Sequence, residues 1–172
     1  LSEIELYEMR ASMRVIMLNP CAILGPGSER LESAINTIRK FPIFPMMNYI
    51  NAFVDVRDVA HAVILALTKG RSGERYIVSA HNAGMLEFTR MIVRHLGKRT
   101  RVVPLSQFGL KQADNLVAFL DVLHLNPGIR RPAQINIDKP ASYEKINNEM
   151  GWEPKFTLDQ SVADSVNRIN NA

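Results

Sequence analysis

The chain has 172 residues, 47% of them hydrophobic, and a formal net charge of +4. That length and apolar content support a real core and exclude a disordered tail or a polar linker. No apolar run approaches the roughly 20 residues that cross a bilayer.

The first residues, with Ile4, Leu6, Tyr7 and Met9, read as the tail of a longer helix. No secretory signal is visible, in a chain that opens on Leu1. Arg14 to Leu18 is expected to be a strand, because Val15-Ile16-Met17-Leu18 is wholly apolar, as suits a strand buried on both faces of a parallel sheet. Asn19-Pro20 then leads into Cys21-Ala22-Ile23-Leu24-Gly25-Pro26-Gly27, which turns the chain out at the carboxyl end of that strand, where open α/β sheets bind ligands. Leu31, Ala34, Ile35 and Ile38 keep helical spacing until Pro42 and Pro45 break the pattern. Met46, Met47, Tyr49 and Ile50 follow as an irregular apolar stretch, and Asn51 to Val56 as a strand.

Asp58 is placed to cap a helix running through Thr68, with Val59, Ala60, Val63, Ala66 and Leu67 as its buried side. Arg75 to Val78 is a strand. Met85, Phe88, Ile92 and Leu96 mark a helix closed by Gly97, and Arg101 to Val103 a short strand stopped by Pro104. A long helix is expected over 107–125 and a short strand over 134–137. Ser142 opens a helix that Gly151 closes. Thr157 and Gln160 have capping-box spacing ahead of a final helix with Leu158, Val162, Val166 and Ile169 on its apolar face. Alternating strands and helices followed by a mostly helical end indicate α/β with parallel pairing. No repeat, low-complexity tract or long linker divides the chain, so one domain is expected.

Four motifs in this order carry a family resemblance. They are Asn19-Pro20 with Ile23-Leu24-Gly25-Pro26-Gly27; Phe53-Val54-Asp55-Val56-Arg57-Asp58-Val59-Ala60-His61-Ala62; Gly73-Glu74-Arg75-Tyr76-Ile77-Val78-Ser79; and Lys145 through Met150-Gly151-Trp152-Glu153-Pro154. Together they resemble the C-terminal half of an extended short-chain dehydrogenase/reductase, the NAD-dependent epimerase/dehydratase superfamily. The resemblance implies the C-terminal part of a Rossmann-type parallel sheet plus a small, mostly helical substrate-binding lobe. It implies a single incomplete domain over 1–172, lacking the N-terminal dinucleotide-binding half.

The family's catalytic set is a Ser or Thr, then Tyr-x-x-x-Lys, with a Gly-rich turn for the pyrophosphate. Tyr7, Tyr49, Tyr76 and Tyr143 are followed four residues on by Ala11, Phe53, Ala80 and Asn147, never Lys. Gly25-Pro26-Gly27 has Arg30 where a dinucleotide fingerprint needs its third glycine. The resemblance places the start of the chain just past the catalytic lysine, so no catalytic residue is assigned.

What the resemblance leaves is the nicotinamide end of an NAD or NADP site. It assigns the contact with the carboxamide to Pro20, Cys21, Ala22 and Ile23, through backbone that a proline-fixed turn leaves unpaired. Met46, Met47 and Tyr49 are candidates for an apolar substrate pocket, or ordinary core. Asn19 and Leu24 stand where sugar-nucleotide epimerases usually carry Arg and Tyr. The chain therefore looks more like the dihydroflavonol-reductase branch, acting on an aldehyde or ketone of a small, largely apolar substrate. A nucleotide-sugar epimerase or dehydratase, and a non-catalytic dinucleotide-binding module, are the competing readings. Asp55 with Asp58 as a carboxylate pair, and Cys21 as a nucleophile, are weaker alternatives to a helix cap and a small buried thiol.

The single cysteine, Cys21, excludes an internal disulfide framework and fits a reducing cytoplasm, where the protein is expected. His61, His81, His95 and His124 lie too far apart for metal-ligand spacing, so no metal is expected. The densest basic stretch, Arg94 to Arg101, reads as a solvated helix end rather than a patch for nucleic acid or anionic lipid. Lys and Arg suit a helix C-terminus, and no aromatic residue is interleaved to stack on bases. Neither a nucleic-acid nor a membrane partner is expected. A small-molecule carbonyl substrate and a homo-oligomer are.

Overall fold

A computed structural model describes residues 13–106, 108–109, 111–112, 115, 117–118 and 138–171. In chain order it contains β1 (Met17–Pro20), β2 (Ala22–Leu24), α1 (Glu29–Ile38), β3 (Ile43–Met46), β4 (Ile50–Asp55), α2 (Val56–Lys69), β5 (Arg75–Val78), β6 (His81–Gly84), α3 (Met85–His95), β7 (Arg101–Pro104), α4 (Glu144–Met150) and α5 (Leu158–Asn170). β1 pairs with β5, β4 lies between β2 and β6, and β3 pairs with β7. The pairs β1–β5, β2–β4 and β3–β7 are all parallel, as the alternation of strand and helix requires.

The chain divides into two compact units, each assembled from separated segments. The first holds 13–33, 52–82 and 140–171; the second holds 34–51 and 83–139, as far as those residues are described. In the first unit, Val54, Ala62, Ala66, Tyr76, Val78, Ile146, Met150 and Trp152 form one buried cluster. In the second, Ile35, Ile38, Phe88, Ile92, Val93 and Val102 are buried.

Several boundaries differ from those the sequence suggests. The first strand starts at Met17 rather than Arg14 because Arg14 is occupied elsewhere. Its guanidinium donates to the carbonyls of Leu67 at 2.7 Å, of Ala66 at 3.4 Å and of Gly70, the last acceptors of α2. The Ala66 carbonyl already accepts from Gly70 N at 3.1 Å; the cation adds donors where the helix runs out of them and complements the dipole. At the other end of α2 the cap is Asp55, not Asp58. The Asp55 carboxylate accepts from Arg57 N at 2.8 Å, with Asp55 itself extended at φ −75°, ψ 143°.

The buried face of α2 also differs: it is Asp58, Ala62 and Ala66. Val59 is partly buried against the core, whereas Val63 and Leu67 are exposed. A stripe of small alanines lets the helix lie close on the strands; periodicity read from the larger side chains selects the wrong face.

The stretch Ile43–Met46 is a strand despite Pro45, which is tolerated because β3 has β7 as its single partner among the described residues. β6, with the sequence His81-Asn82-Ala83-Gly84, has no strand-favouring residue and follows from tertiary pairing alone. The glycine exits of α3 and α4 are as expected, with Gly97 and Gly151 at φ +62° and +69°. Ser142 Oγ accepts from Glu144 N at 3.2 Å. The capping box of α5 is complete: Thr157 Oγ1 accepts from Gln160 N, and Gln160 Oε1 from Thr157 N. The expected first helix, much of the helix over 107–125 and the strand over 134–137 lie outside the described residues.

Candidate functional site

The carboxyl ends of β1 and β5 lie side by side, with Pro20 opposite Val78 in the parallel register. Beyond that point the chain changes partner. Cys21 N donates to Val78 O at 3.0 Å, and Ala22 to Leu24 then pair with Phe53 to Asp55 of β4. Pro20 to Ile23 is therefore a crossing between two strand pairs. Its backbone is more fully paired than the sequence suggests: Cys21 N is satisfied, and Ala22 and Ile23 lie within β2, whose partner among the described residues is β4 alone.

Small residues crowd this crossing. Ser79 is buried beyond the end of β5, and Ala80 N donates to Phe53 O at 2.8 Å. Cys21 is a half-buried free thiol. Burial pushes its pKa above the ordinary thiol value, against a smaller opposing effect of the hydrogen bond with Ser79. A thiol kept protonated is a poor nucleophile.

From Ile23 the chain lines a cavity of about 250 Å³ with Leu24, Gly25, Pro26, Gly27, Ser28 and Val56. Gly25 sits at φ +129°, and a Cβ there would come within 2.8 Å of Val56 Cγ1. Gly27 has φ +91°. These conformations strain any other residue, so the shape of the wall depends on both glycines.

Met46, Met47 and Tyr49 belong to the second unit, and Pro20 to Ile23 to the first. All three are partly buried. Leu105 N donates to Met46 O at 2.9 Å and Met85 N to Tyr49 O at 2.9 Å, which pins this segment between β7 and α3. Burial raises the Tyr49 phenol above its ordinary pKa.

The carboxylates Asp55 and Asp58 are both occupied structurally. Asp55 accepts from Arg57 Nε and Nη2 at 2.8 Å each and from Ser161 Oγ at 2.6 Å. Burial works against its ionised form, but these hydrogen bonds and the Arg57 charge outweigh it and hold the carboxyl below its ordinary pKa. Arg57 also pairs with Asp164 at 2.9 Å and stacks on the Phe156 ring at 3.6 Å. Asp58, fully buried, accepts from Lys155 N at 2.9 Å and Phe156 N at 3.2 Å. The two acids tie the start of α2 to residues 155–164. The signal available in the sequence was two acids three apart at the end of an apolar strand; it did not reveal that their partners lie about a hundred residues on.

Among the described residues no cluster of three or more His, Cys, Asp or Glu could hold a metal ion, and no helix is long and apolar enough to cross a membrane.

No protein-family model matches the chain. Over 105 residues, 58% of this chain and 32% of the relative, it is 30% identical to sterol demethylase protein B of Methylococcus capsulatus. Over 129 residues, 74% of this chain and 35% of the relative, it is 26% identical to dTDP-glucose 4,6-dehydratase of Haemophilus influenzae. The solved structure of RMD from Pseudomonas aeruginosa, complexed with NADPH, shares its fold at a TM-score of 0.73 and 18% identity; 98% of this chain aligns with 53% of that one. The chain thus has the α/β fold found in about half the length of that structure, and spans about a third of the curated relatives it matches.

Proposed function

We propose that this chain is the C-terminal portion of an extended short-chain dehydrogenase/reductase, a single incomplete domain comprising both compact units. In this reading the complete protein is an NAD(P)-dependent reductase acting on an aldehyde or ketone of a small, largely apolar substrate. The observation that carries it is the crossing at Pro20 to Ile23, at the carboxyl end of a parallel strand pair and leading into a cavity walled by Gly25 and Gly27.

The residues at the crossing suit the nicotinamide end of an NAD(P) cofactor. Cys21, Ala22, Ser79 and Ala80 are small and uncharged, which leaves room for a flat ring bearing a neutral amide. The cofactor supplies the hydride for carbonyl reduction. Pro20, Cys21, Ala22 and Ile23 hold and orient its amide end, and Met46, Met47 and Tyr49 contribute apolar contact to the substrate. The sequence contains neither Tyr-x-x-x-Lys nor the pyrophosphate turn, so the 172-residue chain alone is inactive in this reading. A cytoplasmic location and a homo-oligomeric state are part of the same proposal.

The similarity to a dTDP-glucose 4,6-dehydratase favours a second reading, an epimerase or dehydratase on a nucleotide sugar. The two differ in cofactor balance. A reductase consumes NAD(P)H in proportion to carbonyl reduced; an epimerase or dehydratase returns the hydride and shows no net consumption.

The test uses the complete protein with Ala22→Trp and, at a 40% exposed position, Ile23→Trp. Each is expected to weaken NAD(P)H binding, measured by calorimetry, by about tenfold or more by crowding the amide end. Unchanged binding and an unchanged hydride-transfer rate in both folded variants would overturn the cofactor assignment.

A further inference from the structure

The basic stretch before β7 gains a second half in the fold. Arg101 N donates to Pro42 O at 2.8 Å and Thr100 Oγ1 to Phe41 O at 3.0 Å, so residues 40–43 and 99–101 run side by side within the second unit. This brings Arg39 and Lys40 to the same end of the β3–β7 ribbon as Lys98, Arg99 and Arg101, and all five are exposed. Among the described residues none of the five has a carboxylate partner.

Two large apolar side chains stand among these cations. Phe41 is 51% exposed and Ile43 57%. Ile43 is opposite Arg101 in the parallel register, and paired residues project to the same face of a ribbon. The other face carries Val102, which is buried, opposite Phe44. Ile43 and Arg101 therefore share the outward face, and Phe41 lies beside them at the strand entrance.

We propose that this end of the ribbon docks on an anionic phospholipid bilayer. Phe41 and Ile43 enter the boundary between headgroups and acyl chains, and the five cations lie against lipid phosphates. Basic clusters of this size bind anionic leaflets, and apolar side chains amid the charges add burial that a purely electrostatic contact lacks. Single-stranded nucleic acid suits the patch less well. It calls for successive aromatic rings to stack on bases, whereas here an aliphatic Ile43 sits beside a lone Phe41. The inference stands apart from the cofactor reading, since none of these residues is assigned to cofactor or substrate.

The experiment is vesicle co-sedimentation of the protein. One set of vesicles is phosphatidylcholine alone; the other is phosphatidylcholine with phosphatidylglycerol at about 2:1. Binding is expected to the mixed vesicles only, weakening as salt rises. Lys98→Gln with Arg99→Gln is expected to weaken partitioning about thirtyfold, and Phe41→Ser with Ile43→Ser about tenfold. All four positions are exposed, so circular dichroism should be unchanged; if one pair misfolds, the other decides. The proposal is overturned by absence of binding to mixed vesicles, by equal binding to both kinds, or by a folded variant pair that binds like the parent. It is also overturned if the protein ignores vesicles but binds a single-stranded oligonucleotide.

Discussion

The indole N–H of Trp152 donates to the backbone carbonyl of Asp58 at 3.0 Å, across 94 residues of chain. Both residues are fully buried, and the Asp58 carboxylate reaches back to Lys155 N and Phe156 N. Trp152 also meets Tyr143 edge-on, with ring centroids 5.6 Å apart. One turn of α2 thus holds the whole stretch between α4 and α5 through backbone and side chain together.

Asp58→Ala should therefore destabilise the protein by about 3 kcal/mol, because it strips two backbone donors of a charged acceptor and leaves a hole. Asp58→Asn, which keeps one acceptor oxygen, should cost about half as much. Trp152 is the only tryptophan, so its fluorescence during urea unfolding reports on this contact directly. Equal midpoints for the parent and Asp58→Ala would contradict the assignment.

Asp55 predicts an acid limb. Its carboxyl titrates lower in the folded protein than in the unfolded chain, so the unfolded state binds more protons as pH falls toward and below the ordinary aspartate value. The stability this group contributes is present above about pH 5 and is lost as pH falls through its folded value. Asp55→Asn should be less stable at neutral pH, with a flatter dependence between about pH 5 and 2. Urea midpoints across that range check it; parallel curves would refute it.

Gly25 and Gly97 make a matched pair. Both have positive φ, but a Cβ at Gly25 meets Val56 Cγ1 whereas one at Gly97 meets nothing within 4 Å. Gly97→Ala should cost about 1 kcal/mol from backbone strain alone, and Gly25→Ala about 3 kcal/mol from strain and collision together. Thermal midpoints for the two variants should separate in that order.

The Cys21 thiol should be slow to alkylate. Raised above the ordinary value by burial, it carries little thiolate at neutral pH. Intact-mass labelling with iodoacetamide should run several-fold slower than for free cysteine and accelerate steadily as pH rises past about 9. A faster reaction than free cysteine at pH 7 would show that the burial argument fails.

Much of the α/β order was readable because it rests on local signals. The glycine exits at Gly97 and Gly151, and the reciprocal cap of Thr157 and Gln160, are complete within a few residues. What misled was whatever depended on distant partners. Asp58 looks like a cap because the backbone N–H groups that its carboxylate accepts from, those of Lys155 and Phe156, are far along the chain. Arg14 looks like part of a strand because nothing nearby announces the carbonyls of Ala66, Leu67 and Gly70. The cations of Lys98 to Arg101 look like a bare helix end because Phe41 joins them only through the pairing of β3 with β7. At the candidate cofactor site, the turn glycines were legible, while the bond from Cys21 N to Val78 O was not.

Cys21 is the single residue between β1 and β2, and each of those strands is locked in register to a different partner. The spacing across it acts as a gauge that keeps Pro20 level with Val78 while Ala22 stays level with Phe53. Side chains alternate faces with a period of two, so one inserted residue here would turn one strand inside out relative to the other. The position should thus accept exchange of its side chain, as in Cys21→Ala or Cys21→Ser, far more readily than any change in the number of residues.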